Sequence, residues 1–113
     1  MTGIKIFYRN NLITGIEAKN HSGYADAGND IICAAVSTLM QALLFGLSEV
    51  AGIEIKNFDE YIVNPDIPII KIIWPEKICN DEKILILVKT IAGALKIIAS
   101  ENSGYVKITE VYL

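Results

Sequence analysis

The chain has 113 residues, 52% hydrophobic and 20% charged, with a formal net charge of −3 and a pI near 5.0. That supplies one core in one domain over 1–113, and its acidic balance argues against direct nucleic-acid binding, which needs a basic patch. Mean hydropathy is high at +0.41, yet unbroken apolar runs such as IICAAV and ILILV stay far below the roughly 18 residues of a bilayer span, so no membrane partner is expected.

The opening MTGIKIFYRNN carries charge where a signal peptide needs an apolar stretch, which reads as a cytoplasmic protein. GIKIFYRN alternates as a strand does, with Ile4, Ile6 and Tyr8 on one face. Asn10-Asn11 supplies a two-residue turn, and LITGIEAKN reads as the return strand of a hairpin that ends just before His21. Ile31 to Ala51 reads as a helix with Asp30 as its N-cap, a broad apolar face and a narrow wet stripe, stopped by Gly52. GIEIKNFDEYIV and IPIIKIIW carry strand signals around the turn signal NPD, with Pro68 at an edge or a strand start. NDEKILILVKTIAGALKIIASEN is strand-like at KILILV, but Glu82, Lys89 and Lys96 repeat every seven residues and decide for a helix, begun by Asp81 and Glu82. GYVKITEVY closes the chain as a strand. The order β-β-α-β-β-α-β, with strand pairs on short turns, predicts an α+β domain of two layers: a mainly antiparallel sheet with two packed helices.

The segment NHSGYADAGNDIICAAVS concentrates the chemistry. It holds the only histidine, His21, and one of two cysteines, Cys33, twelve residues on. With Asp30 as N-cap, Cys33 falls in the first helical turn, where free amides and the positive end of the helix dipole favour a thiolate. A loop of that length can return His21 to Cys33. The pair then makes a thiolate–imidazolium nucleophile, and first-turn amides can serve a tetrahedral intermediate. Gly23 and Gly28 loosen the loop, Asp30 lies close to both residues, and Ser37 sits one helical turn beyond Cys33. The same residues also fit a plain fold: Cys33 as a small core hydrophobe, the glycines as turn formers, Asp30 as a cap only, and Ser37 bonded to a backbone carbonyl. Cys79 forms no CxxC pair with Cys33 and reads as a partly buried or surface thiol near a helix start, so neither a disulfide framework nor a zinc site is expected.

Through His21, Gly28-Asn29-Asp30-Ile31-Ile32-Cys33-Ala34-Ala35 and Ser37, the sequence resembles the ribosomal-processing cysteine protease family, Prp. The hallmark of that family is Gly-His-Ala, a short loop, then Gly-x-Asp-Ile-x-Cys-Ala and a nearby Ser. The resemblance implies a small dimeric endopeptidase with no cofactor, which removes an N-terminal extension from a bacterial ribosomal large-subunit protein. By motif position it makes Cys33 the nucleophile and His21 the general base and then acid, with Asp30 and Ser37 in support. It makes Ser22, Gly23, Tyr24 and Gly28 part of a mobile substrate-binding loop. Asn20 stands where the family has Gly, and Ser22 where Ala is common. Asn is the next most tolerant of left-handed backbone angles, so a hinge there remains feasible.

Two other functions fit the same sequence. One is a non-catalytic ribosome-assembly binding module of the same fold, which a slowly alkylating Cys33 would favour. The other is a redox sensor, which would need a Cys33–Cys79 disulfide. High hydropathy together with the resemblance favours a homodimer.

Overall fold

Two asparagines begin the fold. In the computed structural model, which describes residues 1–20, 27–64 and 69–113 (backbone alone at 20 and 27–30), Asn10 and Asn11 take φ values of 53° and 63°. Two successive left-handed residues mark the type I′ turn, whose twist matches that of paired strands. The turn folds β1 (Thr2–Arg9) onto β2 (Leu12–Asn20), antiparallel, from Thr2 opposite Asn20 to Arg9 opposite Leu12, with an irregularity between Phe7 and Tyr8. This is the predicted hairpin on the predicted turn.

The first helix departs from expectation at its start and in the form of its last turn. α1 spans Ala27–Phe45 and continues into a π-helical turn at Gly46–Val50. Asp30 therefore lies inside the first turn of α1 and is not its N-cap. An acid is favourable in either place, because both lie at the positive end of the helix dipole, so residue type alone does not fix the start. At the far end the Ala51 amide donates to Gly46 O at 2.8 Å and the Ile53 amide to Leu47 O at 3.0 Å. Gly52 then turns the chain at φ +76°, a conformation glycine adopts without steric cost, at the predicted stop.

The Ile53–Ile55 alternation does not become a strand. Residues Ile55–Asn57 form a short 3₁₀ turn, and β3 begins only at Glu60 (Glu60–Asn64). Ile55 is exposed there, so alternation without a neighbouring strand to pair with did not make one. β4 is Ile69–Ile73; Pro65 and Pro68 lie outside the described residues. α2 is Glu82–Glu101, and the Asp81 carboxylate accepts from the Lys83 amide at 2.9 Å, the predicted start, with a cap worth about 1 kcal/mol. Glu82, Lys89 and Lys96 all face solvent, and Ile84, Val88, Ile91, Ala92 and Leu95 are buried. β5 is Val106–Tyr112.

The five strands form one sheet, β3-β4-β2-β1-β5. Its pairings are antiparallel except β1–β5, which is parallel. Alternate residues (Ile4, Ile6, Ile16, Ala18, Ile72, Trp74 and Val106) point to one side and join both helices in a single core. Trp74, fully buried, keeps its indole N–H satisfied by Ile13 O at 3.1 Å. The opposite side of the sheet carries Lys5, Glu17 and Lys71, with the Lys71 ammonium 3.1 Å from Glu60 and 3.9 Å from Glu17. The result is the expected α+β fold of two layers. The stretch Ile31–Val50 has the length and hydropathy to cross a membrane. One side of it is instead a core ridge, Ile32, Val36, Met40, Leu43 and Leu47, at the three- and four-residue steps of a helix packed on a sheet.

Candidate active site

The position of Cys33 follows from that ridge. Each helical residue is rotated about 100° from the one before. Cys33 is next to buried Ile32, so it sits on the flank of α1 where core gives way to solvent, and it is partly exposed. Ser37, four residues on, lies on the same flank and is also partly exposed. A thiol at such a boundary is held by packing on one side and reachable on the other, as a nucleophile requires.

Cys33 is the seventh residue of α1, not one of its first three. Its amide therefore lies within the helical hydrogen-bond pattern, and the pull of the helix dipole fades within the first turn. The expectation that first-turn amides next to Cys33 stabilise a thiolate and an oxyanion does not hold. Among the described residues a side chain of the sheet meets the sulfur: Thr2 Oγ1 lies 3.4 Å from Cys33 Sγ. Nothing in the spacing of the sequence points to Thr2. The contact spans 31 residues and exists only because α1 packs across the start of β1.

The other predicted residues divide in two. Gly28 and Asp30 are placed by their backbone in the first turn of α1, upstream of Cys33, so Gly28 is a helix residue and not part of the expected substrate-binding loop. Asn20 is the last residue of β2, paired with Thr2, so it has the extended backbone of a strand residue and no left-handed hinge is built there. His21, Ser22, Gly23 and Tyr24 lie outside the described residues.

Cys79 is placed quite differently from the predicted partly buried or surface site. It is 1% exposed, with its thiol against the carbonyls of Ile13 (3.5 Å) and Pro75 (3.8 Å), and burial pushes its pKa up. Ile13 pairs with Tyr8, whereas Cys33 meets Thr2, at opposite ends of β1. Six strand residues separate these levels by about 20 Å, far beyond the reach of a disulfide. A Cys33–Cys79 redox pair is thereby ruled out in this fold.

No curated protein matches the chain. Among solved structures, the crystal structure of SMU.848 from Streptococcus mutans superposes with a TM-score of 0.82 at 25% identity, covering 100% of this chain and 96% of that one. An essential ribosomal processing protease, Prp, from S. aureus in complex with a substrate peptide gives a TM-score of 0.82 at 14% identity, over 97% of this chain and 99% of that one. The same protease with a covalently linked product peptide gives 0.79 at the same identity and coverage. At 14% identity these two matches speak to the shared fold. The model of the family described as cysteine protease Prp matches residues 1–107, which take in both helices, both cysteines and the whole segment around His21 and Cys33. This chain therefore belongs to the Prp family of cysteine proteases.

Proposed function

We propose that this protein is the endopeptidase that removes the N-terminal extension of a bacterial ribosomal large-subunit protein, with Cys33 as nucleophile and His21 as general base and then acid. One observation carries the assignment of the nucleophile. A cysteine protease needs a reachable thiol, and of the two cysteines Cys79 is enclosed in the core while Cys33 is partly exposed on the flank of α1. The S. aureus Prp structures, one with a substrate peptide and one with a covalently linked product peptide, support the substrate class.

The chemistry balances without a cofactor. His21 takes the thiol proton, and the Cys33 sulfur adds to the scissile carbonyl. The tetrahedral intermediate collapses, the C–N bond breaks, and His21 returns its proton to the leaving amine. The resulting thioester is attacked by a water that gives a proton to His21; the C–S bond then breaks and His21 returns that proton to the Cys33 sulfur. In this reading Ser22, Gly23 and Tyr24 contact the extended peptide, Gly28 belongs to the first turn of α1, and Asp30 and Ser37 lie on either side of the nucleophile along α1.

The same reading makes the protein a cytoplasmic homodimer that meets its partner as protein and not as nucleic acid. The dimer rests on the outward flank of α1, where Ile31, Phe45 and Val50 are exposed and Thr38, Gln41 and Glu49 interrupt them. That mixture of apolar and polar groups suits a protein partner better than lipid.

Co-expression with the extended ribosomal protein, read by mass spectrometry of its N terminus, tests the assignment. Wild type gives the shortened mass, and Cys33→Ser and His21→Ala leave the precursor uncut while keeping the native circular dichroism spectrum. Cleavage by Cys33→Ala at the wild-type rate would sink it.

A further inference from the structure

We propose that Thr2 is a further residue of the catalytic centre: its hydroxyl donates a hydrogen bond to the Cys33 sulfur once the thiol has lost its proton to His21. The proposal rests on Cys33 as the nucleophile and adds the group that holds its sulfur.

Three observations carry it. First, Thr2 is a polar side chain only 1% exposed at the head of a strand whose other core-facing residues are Ile4 and Ile6. A buried hydroxyl is costly unless hydrogen-bonded, and the bond that this one makes among the described residues is to Cys33 Sγ at 3.4 Å. A hydroxyl can accept from a thiol and, by rotating its hydrogen, donate to a thiolate. The contact therefore survives loss of the thiol proton and strengthens when the sulfur becomes charged.

Second, Thr2 is a rigid mount. β1 is an inner strand of the sheet, with β2 on one side and β5 on the other. Thr2 is paired with Asn20 and with Val106, and its amide donates to Tyr105 O at 2.8 Å. A β-branched side chain has few rotamers on such a backbone, so Oγ1 has little freedom to leave the sulfur.

Third, Thr2 ties the sheet to the helix layer at the proposed nucleophile. Its backbone faces Asn20, the residue that precedes His21 in the chain, and its side chain meets Cys33 from the helix layer. Because Cys33 lies beyond the first turn of α1, free helix amides are not at hand to orient the sulfur, and the sheet supplies a donor.

The test uses the full chain with Thr2→Val, which keeps the shape and removes the donor, and Thr2→Ser, which keeps the donor. Thr2→Ala, compared with Thr2→Ser, isolates the hydroxyl without relying on the valine variant. Two rates are read for each variant: kcat and KM on the extended precursor, and alkylation of Cys33 by iodoacetamide at pH 7 without substrate, located by mass spectrometry. Losing a hydrogen bond to a charged group predicts roughly ten-fold lower kcat and alkylation rate in Thr2→Val, with KM within about two-fold. Thr2→Ser stays near wild type and Thr2→Ala follows the valine variant. Unchanged alkylation and kcat in Thr2→Val overturn the proposal, as does a Thr2→Ser loss equal to that of Thr2→Ala. Alkylation needs no peptidase activity, so it reports on Thr2 even if Cys33→Ala shows the nucleophile to be elsewhere.

Discussion

Cys33 and Cys79 are the same side chain in opposite surroundings, and the difference decides which can react. Cys33 is partly exposed on a helix flank; Cys79 is closed in by the hairpin and the turn before α2, with its pKa raised first by burial. Iodoacetamide at pH 8 should therefore add one carbamidomethyl group to the native protein, at Cys33, and a second at Cys79 only after urea unfolding. Rapid double labelling of the native protein would contradict the burial of Cys79. Residue types make much of this legible in the sequence, since one cysteine lies in a motif with the sole histidine and glycines and the other has no histidine to pair with. Thr2 is not legible, because a threonine at the head of an apolar strand looks like any strand residue until α1 is laid across it. The same limit applies to Asp30: an acid is favourable both at the cap and inside the first turn, and the helix begins upstream of the residue expected to cap it.

Helices and strands are legible where side-chain periodicity and end signals agree, as in α2, where the exposed heptad positions and the Asp81 cap both hold. They fail where a pattern lacks a partner or where helices meet, as at Gly46. A Cβ there would lie 2.7 Å from a Leu87 methyl, so α1 ends in a π-helical turn at a close approach to α2 that the sequence does not announce. A second contact between elements, also invisible in the sequence, ties the end of β5 to β1 and α2. The Glu110 carboxylate accepts from Tyr112 at 2.8 Å and from Tyr8 at 3.1 Å, with the Lys96 ammonium at 3.1 Å, and the rings of Tyr8 and Tyr112 stack at 4.9 Å. The hydrogen bond from Tyr112, then those from Lys96 and Tyr8, hold the Glu110 pKa below its usual 4.5. Lys96 is held above its usual value chiefly by Glu110, and Tyr8 by burial and then by Glu110. The signs follow. Glu110 stabilises the fold above its unfolded pKa, and that support is lost as pH falls through the folded one. Lys96 and Tyr8 act fully below their unfolded values, and their support is lost as pH rises through the folded ones. The cluster is thus intact from about pH 5 to about pH 10. An NMR titration of the Glu110 carboxyl should give a midpoint below 4.5, moved upward in Tyr112→Phe. An unshifted midpoint in both proteins would mean that the cluster does not persist in solution.

At the scale of the molecule, the number and type of elements is legible and their arrangement is not. Local turns predict the antiparallel pairs β1–β2 and β3–β4, but nothing local says that β5 returns parallel to β1 or that β4 sits beside β2. Those pairings join residues far apart in sequence and are chosen by how the helices cover one side of the sheet. The same arrangement leaves one surface unexplained by the monomer. α1 turns Ile32, Val36, Met40, Leu43 and Leu47 to the core, yet Ile31, Phe45 and Val50 remain 70%, 61% and 75% exposed on its outer flank, with Ile55 nearby. A lone exposed leucine-sized side chain is ordinary; several along one helix mark a surface that gains by burial against another protein. Two copies packed through α1 satisfy this with self-complementary contacts about a two-fold axis. Light scattering at tens of micromolar should give about twice the 12.4 kDa protomer mass. Phe45→Glu should give the protomer mass with an unchanged circular dichroism spectrum, because the Phe45 ring lies outside the core and a charge buried in the proposed contact would lack a partner. A wild-type protein that stays monomeric at that concentration, or a Phe45→Glu variant that stays dimeric, would remove α1 as the interface.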